Sequence, residues 1–306
     1  MPAGLQRRGP ATAKVELTRL DKPLIDAAGG DAPIDKGELI DYYRRVAPVM
    51  RRYLVDRPLV LQCFPDGIRS DGFYQKQVPD YYPDWIDRAD VATSDGRQQL
   101  VCGASADTLA YLANQACITL HAWLARRAHL HHPDQLIFDL DPPNLEAFDA
   151  VRGAARQLAE LLRRLELRSW VKTTGSKGLH VLVALDGRAD FDTVRTLARR
   201  VADELIATAP DAYTREQRIA ARGSRVYVDV LRNAYAQTAV APYAVRARPG
   251  APVATPLAWR ELDDKSLHPQ RYTIRNLFRR LAQRDDPWRD VFKRRYSAAR
   301  ALARCG

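Results

Sequence analysis

The sequence predicts an α+β domain in which mixed, largely antiparallel central sheets are flanked by helices. Three observations carry that expectation. Short runs of β-branched and aromatic residues, such as Leu136-Ile137-Phe138 and Val226-Tyr227-Val228, read as strands. Longer stretches place apolar residues at helical spacing, and the two kinds alternate irregularly without a fixed repeat. With 306 residues, 46% hydrophobic and 28% charged, the chain can bury a full core. We read residues 1–14 as a frayed basic arm and 15–306 as one domain, since no low-complexity linker divides them.

In chain order, Val15 to Leu20 reads as a strand and Gly29 to Pro33 as a loop. Asp35 caps a helix whose buried stripe includes Leu39, Tyr42, Tyr43, Val46 and Met50. Pro58 to Phe64 is a strand, turned by Pro65-Asp66-Gly67 and followed by a short strand, Phe73 to Lys76. Pro79 to Trp85 forms an aromatic, turn-rich surface loop. After a strand from Gln99 to Cys102, Ser105 opens a long helix to about Arg127, with His121 beside its buried stripe.

Gln135 to Asp141 is a strand stopped by Pro142 and Pro143, which cannot donate to a ladder. A helix from about Leu145 to Leu167 follows. Trp170 to Thr173 and Leu179 to Leu185 are strands joined by the tight loop Thr174-Gly175-Ser176-Lys177-Gly178, and Phe191 to about Ala207 is a helix. Arg225 to Leu231 alternates as a strand with Asp229 in its middle. Trp259 to Leu262 and a basic helix, Arg271 to Gln283, close the fold.

The formal net charge of +11 favours anionic partners, nucleic acid first. No run approaches the roughly 20 apolar residues of a membrane span, and Met1 to Lys14 lacks the apolar core of a secretion signal. Cys63, Cys102, Cys117 and Cys305 are scattered, without the spacing of a zinc site or the density of a disulfide scaffold. They fit a reducing cytoplasm.

Asp139 and Asp141 share one face of their strand, roughly 6.5–7 Å apart at Cα, where two carboxylates can lean onto a hard cation. The same Asp-x-Asp spacing also serves as a turn or helix N-cap. Asp229, a lone acid in an apolar strand, needs a metal or an arginine beside it. The Gly-Ser-Lys-Gly turn offers amides, a hydroxyl and an ammonium to a phosphate, although it lacks the spacing of a P-loop and reads equally as a hairpin turn.

Several separated segments, in order, resemble one family. They are Glu16 to Lys22, Lys36 to Leu39, Phe73 to Lys76, Phe138-Asp139-Leu140-Asp141-Pro142, Gly175 to His180, Val228-Asp229, Ala241-Pro242-Tyr243 and Arg246 to Pro249. The chain resembles the primase-like polymerase domain of bacterial ligase D, within the archaeo-eukaryotic primase superfamily, with the corresponding primase-polymerase fold. The resemblance implies a template-dependent nucleotidyltransferase that extends primers and fills gaps in non-homologous end joining, favouring ribonucleotides. It implies Asp139, Asp141 and Asp229 as catalytic ligands of two ions, Mn2+ or Mg2+. His121, Thr174, Ser176, Lys177, His180, Arg222 and Arg246 would meet the nucleoside triphosphate. Lys22 and Lys36 would grip a DNA 5′-phosphate, and Phe73 and Tyr74 would stack near the template. Gapped or broken DNA, a Ku-like end-binding protein and a separate ligase are the implied partners, and the cytoplasmic nucleoid the implied location. A de novo primase and a non-catalytic DNA-end binder are the alternatives. The sequence departs from the family at Thr174, often serine, at Gln62 and Cys63, usually basic, and at Arg232, glutamine in some relatives.

Overall fold

A computed structural model of the protein describes residues 15–93 and 96–305, so the expected arm at 1–14 lies outside the described residues. The described chain opens without the expected first strand. Residues 15–20 are irregular, because their backbone is held by the side chain of Asn114, which accepts from Thr18 N and donates to Glu16 O. Two short strands follow, β1 (Pro23–Ile25) and β2 (Ile34–Asp35), then helix α1 (Lys36–Leu54) with Asp35 as its N-cap. Leu39, Tyr42, Tyr43, Val46 and Met50 are all buried, as their spacing requires.

Strands β3 (Pro58–Cys63) and β4 (Phe73–Gln75) match their expected positions. Next come β5 (Arg88–Thr93), a strand the sequence did not announce, and β6 (Gly96–Cys102), which extends the strand expected at 99–102, the part apolar enough to stand out. Helix α2 (Ala106–Asn114) is far shorter than the helix expected from Ser105 to Arg127. The chain turns at Ala116, whose φ of +57° no helix tolerates, and enters strand β7 (Cys117–Trp123). His121 therefore lies on a strand, where Ile118 and Thr119 favour extended backbone.

Strand β8 (Gln135–Asp141) ends at the prolines. Helix α3 (Phe148–Arg164) and strands β9 (Ser169–Thr173) and β10 (Leu179–Ala184) come next, then α4 (Phe191–Thr208), β11 (Tyr213–Thr214) and the one-turn α5 (Ile219–Arg222). Strand β12 (Val226–Asp229) stops at Asp229 rather than passing through it, because Asp229 Oδ1 accepts from Leu231 N and the chain turns into a 3-10 helix. Strands β13 (Thr238–Val240) and β14 (Pro256–Leu257) follow. Trp259–Asp263 is a 3-10 helix, and α6 (Leu277–Gln283) starts six residues later than expected, since residues 271–276 form turns and a bridge from Thr273 to Pro252. A short α7 (Ala298–Arg304), which the sequence reading missed, follows.

Twelve of the strands form two six-stranded sheets, and β1 pairs with β2 apart from them. One has the order β11-β12-β8-β10-β9-β14, and the other β13-β7-β3-β6-β5 with β4 also on β3. Every pairing is antiparallel except β11 with β12, in agreement with the expected fold class. Strand alternation divides the first sheet cleanly. Leu136, Phe138 and Leu140 face a core with α3 and α4, whereas Ile137, Trp170 and Leu182 share a core with the second sheet and α1. Each fully buried leucine or phenylalanine there contributes about 1.5–3 kcal/mol, so β8 is firmly held between the two layers. Cys63 and Cys117, 54 residues apart, meet across β3 and β7 in a disulfide, a pairing that their scatter in the sequence did not disclose. Among the described residues, no helix is long and apolar enough to cross a membrane.

Candidate active site

A row of cross-strand neighbours crosses the first sheet on the face turned to the second. Asp229 on β12 opposes Asp139 on β8, Asp139 opposes His180 on β10, and His180 opposes Lys172 on β9. Directly opposed residues share a face and lie about 4.5–5.5 Å apart at Cβ, so the pairing alone brings four ionisable groups together. Asp141 lies two residues further along β8, on the same face, opposite Tyr227. Neither aspartate of the Asp-x-Asp pair caps anything. The following 3-10 helix is capped by Asn144, whose side chain accepts from Ala147 N.

The loop at 174–178 is both a hairpin turn between β9 and β10 and one wall of a cleft. Gly178 has no alternative, because a Cβ there would lie 2.0 Å from the carbonyl oxygen of Leu140. Gly175 adopts φ +67°, and a Cβ would press to 2.8 Å from Cγ of Arg246. The hydroxyl of Thr174 accepts from the amides of Ser176 and Gly178, so those two amides, expected to face a phosphate, are already engaged. The Ser176 hydroxyl and the Lys177 ammonium remain. Arg246 Nη1 donates to Thr174 O and ties the loop to the chain between β13 and β14.

The cleft, about 300 Å³, is lined by both sheets: Asp139, Asp141, Thr174, Ser176, Lys177 and His180 from the first, and Tyr74, His121 and Thr238 from the second, with Arg232 and Arg246 at its sides. Tyr74 meets the His121 ring edge-on at 5.9 Å. Nine of the expected site residues thus converge on one cavity. The others are placed around it. Asp229 is buried beside Asp139. Arg222 lies over the ring of Tyr227, 3.7 Å from its centroid, and donates to the carbonyls of Glu216 and Gln217. Phe73 is exposed and, as the strand neighbour of Tyr74, points to the opposite face of β4, so the aromatic pair is split. Lys22 and Lys36 meet elsewhere, where Lys36 N donates to Lys22 O. Lys22 is paired with Asp66 at 2.9 Å, while buried Lys36 donates to Thr18 Oγ1 and Asn114 O.

Two acids on one strand are pushed in opposite directions. Burial raises Asp141 to about 6, and the charges of Asp139 and Asp229 add to the rise. Burial acts the same way on Asp139, but His180, Arg232 and Lys172 outweigh it and bring its carboxyl down to about 2. Asp229 is raised, by burial first and Asp139 among the other causes. Burial also lowers His121 to about 3 and His180 to about 4, so both rings are neutral at physiological pH. Arg232 Nε lies 4.0 Å from Asp139 Oδ2 and 3.7 Å from Asp229 Oδ2, between the two acids. The sequence reading noted Arg232 as a departure but not this contact. It missed Lys172 altogether. A lysine between Val171 and Thr173 reads as a solvated charge, yet it is 2% exposed, its Nζ has no hydrogen-bond partner, and burial lowers it to about 7.

Fold and site together define a class: a two-sheet domain with strand-end carboxylates facing a tight, cationic loop across a narrow cleft. The chain belongs to the family of the LigD primase-polymerase domain, whose model matches residues 35–288. It is 33% identical over 299 residues to the multifunctional non-homologous end joining protein LigD of Pseudomonas aeruginosa, covering 96% of this chain and 35% of that protein. It is 28% identical to the bifunctional LigD of Bacillus subtilis, over 93% of this chain and 45% of the relative. The chain thus spans less than half the length of each of these relatives. Among solved structures, the polymerase domain of Mycobacterium tuberculosis ligase D in complex with DNA superposes with a TM-score of 0.84 at 31% identity, covering 92% of this chain and 98% of that one.

Proposed function

We propose that this chain is a template-dependent nucleotidyltransferase that extends primers and fills gaps at DNA breaks during non-homologous end joining, with ribonucleoside triphosphates favoured. The observation that carries the reading is the gathering of Asp139, Asp141 and Asp229 at strand ends, at the mouth of a cleft lined by Lys177, Arg232 and Arg246. The names and the DNA of the relatives support the repair setting.

The donor set fits hard divalent cations, manganese or magnesium, because it is made of carboxylate oxygens alone. Asp139 Oδ1 is buried without a hydrogen-bond partner, since His180 Nε2 approaches to 3.3 Å without the alignment of a bond. Among the described residues no three such side chains form a closed metal cluster, and Arg232 stands between two of the acids as the cation that balances them. Arg232 is 41% exposed at its side chain and would have to swing aside for ions to take its place. Asp139, Asp141 and Asp229 would then hold two ions, which supply activation of a primer 3′-hydroxyl and charge neutralisation on the departing pyrophosphate.

The remaining roles belong to the chain's own residues. Ser176, Lys177, His180 and Arg246 bind and orient the triphosphate, with Thr174 fixing the loop that carries them. Neutral His121 and Tyr74 bound the cleft on the sugar and base side, and Arg222 biases Asp141 and Asp229 toward the ionised form. Lys22 and Lys36 receive the 5′-phosphate across a gap, and exposed Phe73 stacks on the template. A Ku-like protein and a ligase act on the same ends.

The test is gap filling on 5′-phosphorylated DNA with manganese. Wild type incorporates a ribonucleotide, and Asp139→Ala loses about 10³-fold, the scale of removing charge stabilisation at a reacting centre. Equal incorporation by the two proteins ends the reading. Product formed without any primer would identify a primase instead.

A further inference from the structure

Beyond β14, at the edge of the first sheet, three depressions of about 460, 500 and 500 Å³ adjoin one another. Arg260, Arg280 and Arg284 line both the first and the second, and Arg168 lines both the second and the third, so they form one continuous groove. It is separate from the carboxylate cleft. Arg280 Nη2 donates to the carbonyl of Pro256, and Pro256 is the cross-strand partner of Lys172, so the groove begins one strand past the end of the ionisable row.

Its charges are not balanced. Five arginines face two acids in the first depression, five face four (Glu261, Asp285, Asp286 and Asp290) in the second, and four face two in the third. Glu261, the buried one, is saturated by Arg280, Arg284 and the amide of Ala258. Arg279, Arg260, Arg168 and Arg294 have no carboxylate partner among the described residues. They are spread along the groove so that each depression holds at least one. Arg280 is 6% exposed, yet its Nε and Nη1 have no acceptor. Buried donors of a charged group are left without partners at a cost of about 1–3 kcal/mol or more, which an anion in the groove would offset.

We propose that this groove binds a phosphodiester chain, specifically single-stranded nucleic acid. A small anion fills one depression, whereas unpaired guanidiniums in three joined depressions match a ligand that repeats its charge. The partly exposed rings of Tyr272 and Trp259 lie among the arginines and suit unpaired bases, which stack on aromatic faces.

The test measures binding, not polymerisation, so it stands whether or not the carboxylate cleft acts as proposed above. A labelled single-stranded oligonucleotide is titrated in EDTA without nucleotide, by fluorescence anisotropy over a range of salt. The triple variant R168A/R260A/R279A is compared with R44A/R51A/R199A, which removes three exposed arginines from α1 and α4 that have no carboxylate partner among the described residues. Thermal midpoints establish that both are folded. The groove variant should bind about tenfold or more weakly, with a salt slope lower by about 2, since each single-strand phosphate contact contributes about 0.7. The proposal fails if the control triple loses as much, or if the groove triple binds like wild type. It also fails if pyrophosphate displaces the oligonucleotide at an equal concentration of phosphate, which would mark a small-anion site.

Discussion

Strand β8 has a buried aspartate just before its first residue and two partly buried ones at its far end, and the surroundings treat the two ends in opposite ways. Asp134 accepts from Arg57 Nη2 at 2.5 Å and Arg126 Nε at 2.8 Å, and Arg57 is itself tied to the carbonyls of Tyr53 and Trp123. Nothing in that cluster lacks a partner. Around Asp139, five of the nine buried side-chain atoms left without a hydrogen bond among the described residues belong to Asp139, His121, His180, Lys172 and Arg246. A polar cluster that is complete holds a fold together, whereas an incomplete one is where a ligand can supply the missing partners.

The contrast is sharpest in stability. Asp134→Asn should destabilise by about 3–5 kcal/mol in urea, because it leaves Arg57 buried with no counter-charge. Asp139→Asn should cost less, since the arginine it leaves behind, Arg232, is 41% exposed at its side chain and can turn to water, whereas Arg57 cannot. Equal losses would break the comparison. The pH dependence carries the same sign. Burial alone would raise Asp134, but Arg57 and Arg126 outweigh it and hold it below the ordinary aspartate value. Its stabilisation is therefore full above about pH 4 and disappears as the pH falls through the lowered value. Asp134→Asn should lack that acid-side decline.

Lys172 gives the next effect in size. Replacing it with methionine removes an unpartnered donor beneath the cleft, and nucleoside triphosphate affinity should drop by about 10- to 100-fold, the value of a charged hydrogen bond of about 1.5–3 kcal/mol. Stability should hold or rise, because a desolvated ammonium is lost. A fall in stability without a change in affinity would make Lys172 a structural residue like Arg57. The smallest change expected is at Arg232, whose side chain is 41% exposed. Arg232→Gln should tighten Mn2+ binding in calorimetry by about fivefold, near 1 kcal/mol, by removing a competing charge from between Asp139 and Asp229. Weaker binding would mean that Arg232 helps to gather the acids instead.

The two ends of β8 also differed in how far they could be read. Asp139, Asp141, Lys177 and His180 were legible because they sit where apolar strands stop and a glycine turn begins. Their neighbours were not. Between Ala106 and Trp123 the apolar spacing fits a helix, and only the left-handed turn at Ala116 sends His121 onto a strand. Lys172 has no local signature, for its burial comes from β10 and β14 on either side. The Arg57–Asp134 pair, 77 residues apart, depends wholly on tertiary contact. Local pattern marks where an element ends, and long-range packing decides which charges meet there.

The row from Asp229 to Lys172 has a consequence for the newly made chain. Its members meet only through strand register, and a slip of one residue in β8 would turn both of its acids toward α3 and α4 and bury Leu140 where Asp139 belongs. Assembly of the site is therefore all-or-none.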